Sequence, residues 1–441
     1  MQLLETIRNG WKVVELRKKI FYTVFIIILF RIGSFIPAPF IDAAKLSSQL
    51  ADTFTNTGNT LFSYLSILTG GALEYGAIFA MGVTPYINSS IIIQLLAVAI
   101  PALERLSKEG AEGREKMQDI VRYVTIVLAF IQAAGLYIVY YIYLRNQSML
   151  SYGKGDGVFA QILVGVIIVL CFTAGSAVIM WMGEQIDEKG IGNGISIILF
   201  AGIISRGPRG FAYLWGQIVN GNYIPVIAVC VLFLAIIAFI VFMTGAERRI
   251  PVQYAKRVVG RKMYGGQNTH LPIQVNMAGV LPIIFASSIL AIPTTITAFA
   301  GGSTSNPSSF LKFLDIFSYE RPFYAVLYLI LIVFFSYFYI AIQYNPVEMA
   351  NNLRKNSGVI PGIRPGKPTS DFIGKIISKI TLMGAFFLGV MAILPIIVGR
   401  IGNINVSLGG TSILILVGVA LDTVKSIESQ MMMRYYKGFL D

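Results

Sequence analysis

VTPYINSSII, from Val83 to Ile92, and VLPIIFASSIL, from Val280 to Leu290, share one arrangement: a proline in an apolar run, followed four or five residues later by a serine pair. Pro85 precedes Ser89 and Ser90, and Pro282 precedes Ser287 and Ser288. Proline lacks the backbone N–H and crowds the preceding turn, so each run is expected to carry a break in mid-helix. Small and hydroxyl side chains let two helices approach closely and form weak bonds between them, so such a seam parts at little cost.

The place of these two runs in the chain gives them their weight. Long apolar stretches number ten, at about 20–38, 76–98, 121–143, 158–182, 191–206, 223–244, 273–298, 323–344, 380–399 and 404–424. The broken runs are the second and the seventh, each second in a set of five. An odd-numbered unit repeated in tandem enters the membrane in opposite senses, so the two halves are related by an axis in the membrane plane. Corresponding broken spans in inverted halves point to a pathway at the repeat interface.

Composition agrees with a polytopic membrane protein: 55% of residues are hydrophobic and only 13% charged, with a mean hydropathy of +0.71. No cleavable signal segment is visible before residue 20, so insertion is expected to use the spans themselves. With an even number of spans both termini share one side. Most of the 35 Lys and Arg fall in the segments on that side, and the positive-inside rule makes it the cytoplasm. Residues 1–19 place Leu3, Leu4, Ile7, Trp11, Val14 and Leu16 against Arg8, Lys12 and Arg17, the pattern of a cytoplasmic helix lying in the interface.

The polar inventory argues against several kinds of chemistry. Cys171 and Cys230 lie far apart in apolar runs, and the single histidine, His270, has no neighbouring ligand, so neither a disulfide framework nor a metal site is expected. Arg31 is the one clearly embedded charge; Arg122 and Asp422 lie near span ends. No acidic residue occupies the middle of a span, which weighs against proton-coupled transport. Glu184, Asp187 and Glu188 read as solvated helix-end residues. Gly190, Gly192 and Gly194 fail the dinucleotide fingerprint, because the final glycine would fall at Ile195 and no strand precedes. The chain does not read as an enzyme and calls for no cofactor.

Two cytoplasmic segments are long and basic. The first, about 245–272, alternates apolar residues with Arg248, Arg249, Lys256, Arg257, Arg261 and Lys262, and reads as an exposed strand or ribbon. The second, about 345–379, starts a short helix at Asn345 with Pro346 in its first turn. It carries Arg354 and Lys355, then a proline- and glycine-punctuated tip with Arg364 and Lys367. Charges near the membrane would satisfy orientation alone. Structured basic loops therefore suggest a large anionic cytosolic partner, for which anionic lipid and ribosomal RNA both qualify.

Before the second span lies LFSYLSILT, from Leu61 to Thr69, followed by Gly70 and Gly71. As a helix it would cover about 13 Å of a hydrocarbon core about 30 Å thick, so it cannot cross. The residues alone leave open a gated polypeptide channel, a secondary transporter for a small or lipid-like solute, and a passive scaffold.

The stretches GGALEYGAIFAMGVTPYINSSIIIQLL, MGEQIDEKGIGNGISIILFAGI, RRIPVQYAKR with THLPIQVNMAGVLPIIFASSI, and NPVEMANNLRKNSGVIPGIRPGKPT together resemble the SecY/Sec61-alpha family of protein-conducting channels. The resemblance runs over nearly the whole chain. It implies an all-α polytopic fold of ten transmembrane helices, in two inverted five-helix halves around an hourglass pore. The N-terminal half is then 20–206, an external hinge loop 207–222, the C-terminal half 223–424 and a cytoplasmic tail 425–441. It implies a pore ring of Val83, Ile87, Ile195, Leu199, Ile284 and Ile415, aliphatic groups that dewet and block ions without binding the passing chain. Val83 and Leu199 depart from the isoleucine often found there. A lateral gate between spans 2 and 7 would carry Pro85, Asn88, Ser89, Ser90, Ile91 and Gln94 opposite Pro282, Ser287 and Ser288.

The same resemblance makes 61–72 the plug, with Leu61, Phe62, Leu65 and Leu68 set against the ring and Gly70 and Gly71 as its hinge. It implies that the basic loops dock a ribosome, through its RNA and proteins, or the SecA motor ATPase, with Arg364 coupling to the motor. SecE and SecG subunits, signal-sequence-bearing preproteins, nascent membrane proteins and membrane lipids are the remaining partners implied. The implied location is the bacterial plasma (inner) membrane, with both termini cytoplasmic.

Overall fold

The computed structural model describes residues 13–47, 66, 69–145, 158–221, 223–254, 257–259, 262–264, 268–300, 315–317, 322–402 and 410–435. The chain divides into two compact units, one of 1–226, 291–320 and 419–441, the other of 227–290 and 321–418. Among the described residues five helices are long and apolar enough to cross a membrane, with windows at 112–138, 159–189, 226–245, 323–355 and 367–394. The protein is a multi-pass, mostly helical membrane protein.

In the first unit, helix α1 spans Val14–Gly33 and a run of tight turns occupies 69–83. Helix α2 (Thr84–Ala99) follows, and the chain then bends by 108° into the short helix α3 (Pro101–Lys108). The bend falls at Ile100, held extended at φ −107° and ψ 114° because the next residue is Pro101. Helices α4 (Ala111–Arg145) and α5 (Val158–Lys189) are long, whereas α6 (Gly194–Ile204) is short.

Packing in this unit centres on Leu46, Leu73, Ala133, Ile168 and Phe172, all buried. Helix α5 meets the turn segment backbone to side: a Cβ added at Gly175 would lie 2.0 Å from the Ile78 carbonyl oxygen. Near the start of α1, Leu16 packs with Ile191 and with Ile427.

Three expectations are corrected here. The second span was expected to carry a helix break at a mid-run proline, but the helix begins at Thr84 with Pro85 in its first turn. A proline in the first turn gives up no hydrogen bond, because N–H groups there have no helical partner. The fifth span, expected at 191–206, is helical only over Gly194–Ile204, about 16 Å. Segment 207–222, expected as a loop, contains helix α7 (Gly207–Val219), started by Pro208 in its first turn.

The second unit takes up most of helix α8 (Tyr223–Gly245). Strands β1 (Glu247–Tyr254), β2 (Arg257–Val259), β3 (Lys262–Tyr264) and β4 (Asn268–Gln274) follow. β1 pairs antiparallel with β4 in the register Arg249 to Pro272 and Val252 to Thr269, and β2 pairs with β3 as a separate hairpin. Helix α9 (Leu281–Ala300) again starts with its proline, Pro282, at the second position. The mid-run break expected in the seventh span is thus also a helix start, preceded by turns over 275–280.

Helices α10 (Pro322–Gln343), α11 (Pro346–Lys355), α12 (Lys367–Gly402) and α13 (Gly410–Tyr435) complete the chain, with a two-residue strand β5 (Gly358–Val359) against the free side of β1. Ile250 and Val252 point inward from β1 and pack with Ile273, Ile360, Ile373 and Ile377, as alternation along a strand requires. The ribbon read from the sequence at 245–272 is therefore anchored to the helices through one apolar face. Helix α12 starts at Lys367, inside the second basic segment expected at about 345–379.

Candidate functional site

The turn segment ahead of α2 is a buried, closely bonded structure. Gly70 and Gly71 adopt φ of +65° and +89°, values that favour glycine. The Gly71 N–H donates to the Ser66 carbonyl at 2.8 Å and the Ala77 N–H to the Ala72 carbonyl at 2.9 Å. Two further bonds tie the segment to the stretch that follows α1: Ile78 N–H to the Ile36 carbonyl and Ala38 N–H to the Gly76 carbonyl, both 2.9 Å.

Polar side chains converge on the same place. Arg31, the embedded charge of α1, donates from Nη1 to the Gly70 carbonyl at 2.8 Å, and its guanidinium lies 4.3 Å from the centre of the Phe35 ring. Ser205 Oγ reaches the same carbonyl at 3.3 Å. Arg206 pairs with Glu74, and its Nη2 also donates to Ser66 Oγ at 3.0 Å. Ser66 Oγ in turn donates to Glu74 Oε1 at 2.7 Å.

The sequence reading did not single out Glu74, Ser205 or Arg206. A signal existed: Glu74 is the only charged residue between Asp52 and Glu104. Of the expected plug residues, Gly70 and Gly71 lie in this turn segment. Leu61, Phe62, Leu65 and Leu68 lie outside the described residues.

The first unit holds four of the six aliphatic positions. Val83 is the residue before α2 and Ile87 lies one turn into it, with Ile87 N–H on the Val83 carbonyl at 3.1 Å. Ile195 and Leu199 have the same four-residue spacing on the first turns of α6, so each pair shares one helix face. Val83 and Leu199 are buried, Ile87 and Ile195 half-buried.

The start of α6 is fixed from two sides. Asn193 Oδ1 accepts from Ser196 N–H at 3.0 Å, and Asp187 Oδ1 accepts from Gly194 N–H at 2.7 Å. In the second unit Ile284 stands on the first turn of α9 and Ile415 is buried in α13. A Cβ added at Gly418 would come within 2.8 Å of Val280, so α13 packs on the start of α9.

The gate positions on α2 are divided. Ser89 is fully buried and donates to the Val121 carbonyl of α4 at 2.8 Å, so it is occupied within its own unit. Ile91 is buried and Pro85 sits in the first turn, while Asn88, Ser90 and Gln94 are half-buried, with Gln94 Nε2 on Ser90 Oγ at 3.0 Å. On α9 Ser287 is buried and its hydroxyl returns to the Ile284 carbonyl at 2.9 Å; Ser288 is half-buried.

Several charges of the basic loops are exposed. Arg248 and Arg249 are exposed on β1, where Arg249 Nε meets Glu247 at 2.6 Å. Arg257 and Lys262 lie on β2 and β3, and Lys256 and Arg261 fall outside the described residues. Arg354 and Lys355 end α11, whose start is capped by Asn345 Oδ1 on the Val347 and Glu348 N–H groups. Arg364 and Lys367 are exposed, and Thr369 Oγ1 donates to the Arg364 carbonyl at 2.8 Å. Among the described residues no group of three or more His, Cys, Asp or Glu is placed to hold a metal ion.

A family model described as SecY matches residues 77–424. The chain is similar to the protein translocase subunit SecY of Streptomyces galbus, 41% identical over 444 residues, covering 99% of this chain and 100% of that protein. To the subunit of the same name from Corynebacterium glutamicum it is 43% identical over 450 residues, with the same shares covered. In fold it resembles a solved protein conducting channel, with a TM-score of 0.66 at 19% identity over 94% of this chain and 92% of that one. It also resembles Sec61 in the canine ribosome-channel complex, with a TM-score of 0.61 at 17% identity over the same shares.

Proposed function

This chain belongs to the SecY family and is a channel subunit rather than an enzyme, and we propose that its own residues divide the work of conducting polypeptide as follows. The observation that carries the reading is the full-length relation to protein translocase subunits, 99% of this chain against 100% of theirs. Val83, Ile87, Ile195, Leu199, Ile284 and Ile415 form the aliphatic constriction, which excludes water and ions at rest and offers a passing chain no specific bond. Residues 61–72 act as the plug. Span 2, with Pro85, Asn88, Ser90, Ile91 and Gln94, and span 7, with Pro282, Ser287 and Ser288, serve as the lateral gate through which apolar segments reach lipid. In this arrangement Ser89 steadies α2 against α4.

The exposed cations Arg248, Arg249, Arg354, Lys355, Arg364 and Lys367, together with Lys256, Arg257, Arg261 and Lys262, form the cytosolic docking surface for a ribosome or the SecA motor. Energy comes from that partner, SecE and SecG complete the complex, and both termini face the cytoplasm of a bacterial inner membrane. The test is reconstitution of the purified complex in vesicles with the motor, ATP and a signal-bearing preprotein. Protease-protected preprotein is the expected result; its absence in complexes that retain their small subunits would refute the reading.

A further inference from the structure

We infer that helix α7 (Gly207–Val219) is an interfacial membrane anchor, laid along the bilayer surface with Phe211, Trp215 and Val219 set among the lipid headgroups and upper acyl chains. The inference rests on the multi-pass membrane fold and is independent of the ring, plug and gate.

Phe211, Trp215 and Val219 follow one another at four-residue intervals, so they stand on one side of α7. They are 69%, 59% and 71% exposed, and the rings of Phe211 and Trp215 stack with centroids 6.4 Å apart and planes 24° apart. Leu214 and Ile218 flank this stripe and are half-buried, while Gln217 falls on the opposite side of the helix. Large apolar side chains gathered in one exposed stripe mark a surface that something apolar covers.

Lipid is the occupant that the neighbouring chain favours. With 13 residues α7 is about 20 Å long, too short to cross a hydrocarbon core about 30 Å thick. Gly221, at a left-handed φ of +83°, follows the end of the helix, and α8 starts at Tyr223. The window 226–245 of α8 is apolar enough to cross the membrane, and Tyr223 and Ile224 ahead of it are exposed. Val219 is thus separated from a lipid-entering helix by one tight turn. Trp215 and Tyr223, on either side of that turn, are side chains that favour the membrane interface, where an apolar ring and a polar N–H or O–H are both accommodated. At the other end Arg206, the N-cap residue, pairs with Glu74 and fixes the start of α7 to the turn segment. The anchor therefore holds the connection from α6 to α8 at the membrane surface. In the orientation proposed above that surface is the outer one, and the depth of the stripe does not depend on it.

The experiment places the purified complex in phosphatidylethanolamine and phosphatidylglycerol vesicles, with Trp11→Phe and Trp181→Phe so that Trp215 is the one tryptophan of this chain. Its fluorescence is taken as the difference from the same complex carrying Trp215→Phe. Lipids with a nitroxide near the headgroup end of the acyl chain should quench Trp215 about twofold more than lipids labelled at the terminal methyl, and aqueous acrylamide should quench it weakly, as a depth of about 5–10 Å requires. A second background, Cys171→Ser with Cys230→Ser, carries a nitroxide on Val219→Cys, which should collide more with oxygen than with a soluble nickel chelate. On Asn220→Cys, exposed and about 100° farther round the helix, the order should reverse. Strong quenching by acrylamide and none by either lipid would put the stripe in water. Strongest quenching by the deep label would make α7 part of a span, and quenching by neither lipid nor acrylamide would mean that protein covers it. Each of these results overturns the inference. The two backgrounds are independent, so a variant that fails to assemble in one leaves the other to decide. A complex that shows the expected depth yet translocates no preprotein would count against the channel reading and not against the anchor.

Discussion

Asp187 Oδ1 accepts the Gly194 N–H at 2.7 Å, so the first turn of the short helix α6 is capped by a carboxylate on the last turns of α5. Helix α6 carries Ile195 and Leu199, and this bond sets where they stand. Asp187→Asn keeps an oxygen for Gly194 and should stay close to wild type in thermal stability. Asp187→Ala loses the cap and should cost about 1 kcal/mol. Thermal unfolding in detergent checks the pattern, and an Asn variant as unstable as Ala would contradict it.

Ser89 faces α4 and not the outer surface of α2. A cysteine at Ser89 should resist a membrane-impermeant or lipid-soluble maleimide in the resting complex, whereas one at exposed Ile92 should react with the lipid-soluble reagent. Ser89→Ala loses one hydrogen bond between helices, worth roughly 0.6 kcal/mol in a membrane setting. Rapid labelling at position 89 in the closed state would remove the packing role.

How far the sequence spoke depended on the range of the interaction. Local rules located the paired prolines of spans 2 and 7 and the Asn345–Pro346 helix start, because apolar period, proline and capping chemistry act over a few residues. Proline was misread in one respect. The same ring that breaks a helix interior favours its first turn, and only the turns over 69–83 and 275–280 decide between those roles. The pairing of Glu74 with Arg206 was out of reach, since it joins residues 132 positions apart in the chain and depends on α6 being short. Had Glu74 been weighed as a lone charge in a long apolar stretch, a buried partner would have followed as an expectation.

Ile284 stands half-buried on the first turn of α9, four residues after Val280. If Ile284 belongs to the proposed ring, its replacement by asparagine puts an amide into an aliphatic constriction, where it recruits water and lowers the barrier to ions. Ile284→Asn should raise resting conductance severalfold and allow export of a preprotein with a defective signal. Ile284→Val should do neither, because it stays aliphatic. Planar-bilayer recording and an export assay read the two effects. Equal behaviour of the two variants would exclude Ile284 from the ring.

Arg364 tests the docking surface without disturbing the fold. Its side chain is exposed, and the loop around it is held through its backbone carbonyl, which accepts Thr369 Oγ1 whatever side chain the residue bears. Reversing the charge with Arg364→Glu should therefore leave the complex assembled and its thermal stability within about 0.5 kcal/mol. Motor-driven translocation should fall by about fivefold or more, as juxtaposed like charges slow association and weaken the docked state. The effect should be specific in salt. A charge-steered contact weakens in wild type as ionic strength rises, so the gap between wild type and Arg364→Glu should narrow from low to high salt. Translocation rates in vesicles across a salt series measure this. A deficit that persists undiminished at high salt would assign Arg364 to a bonded, desolvated contact, and no deficit at any salt would remove it from the docking surface.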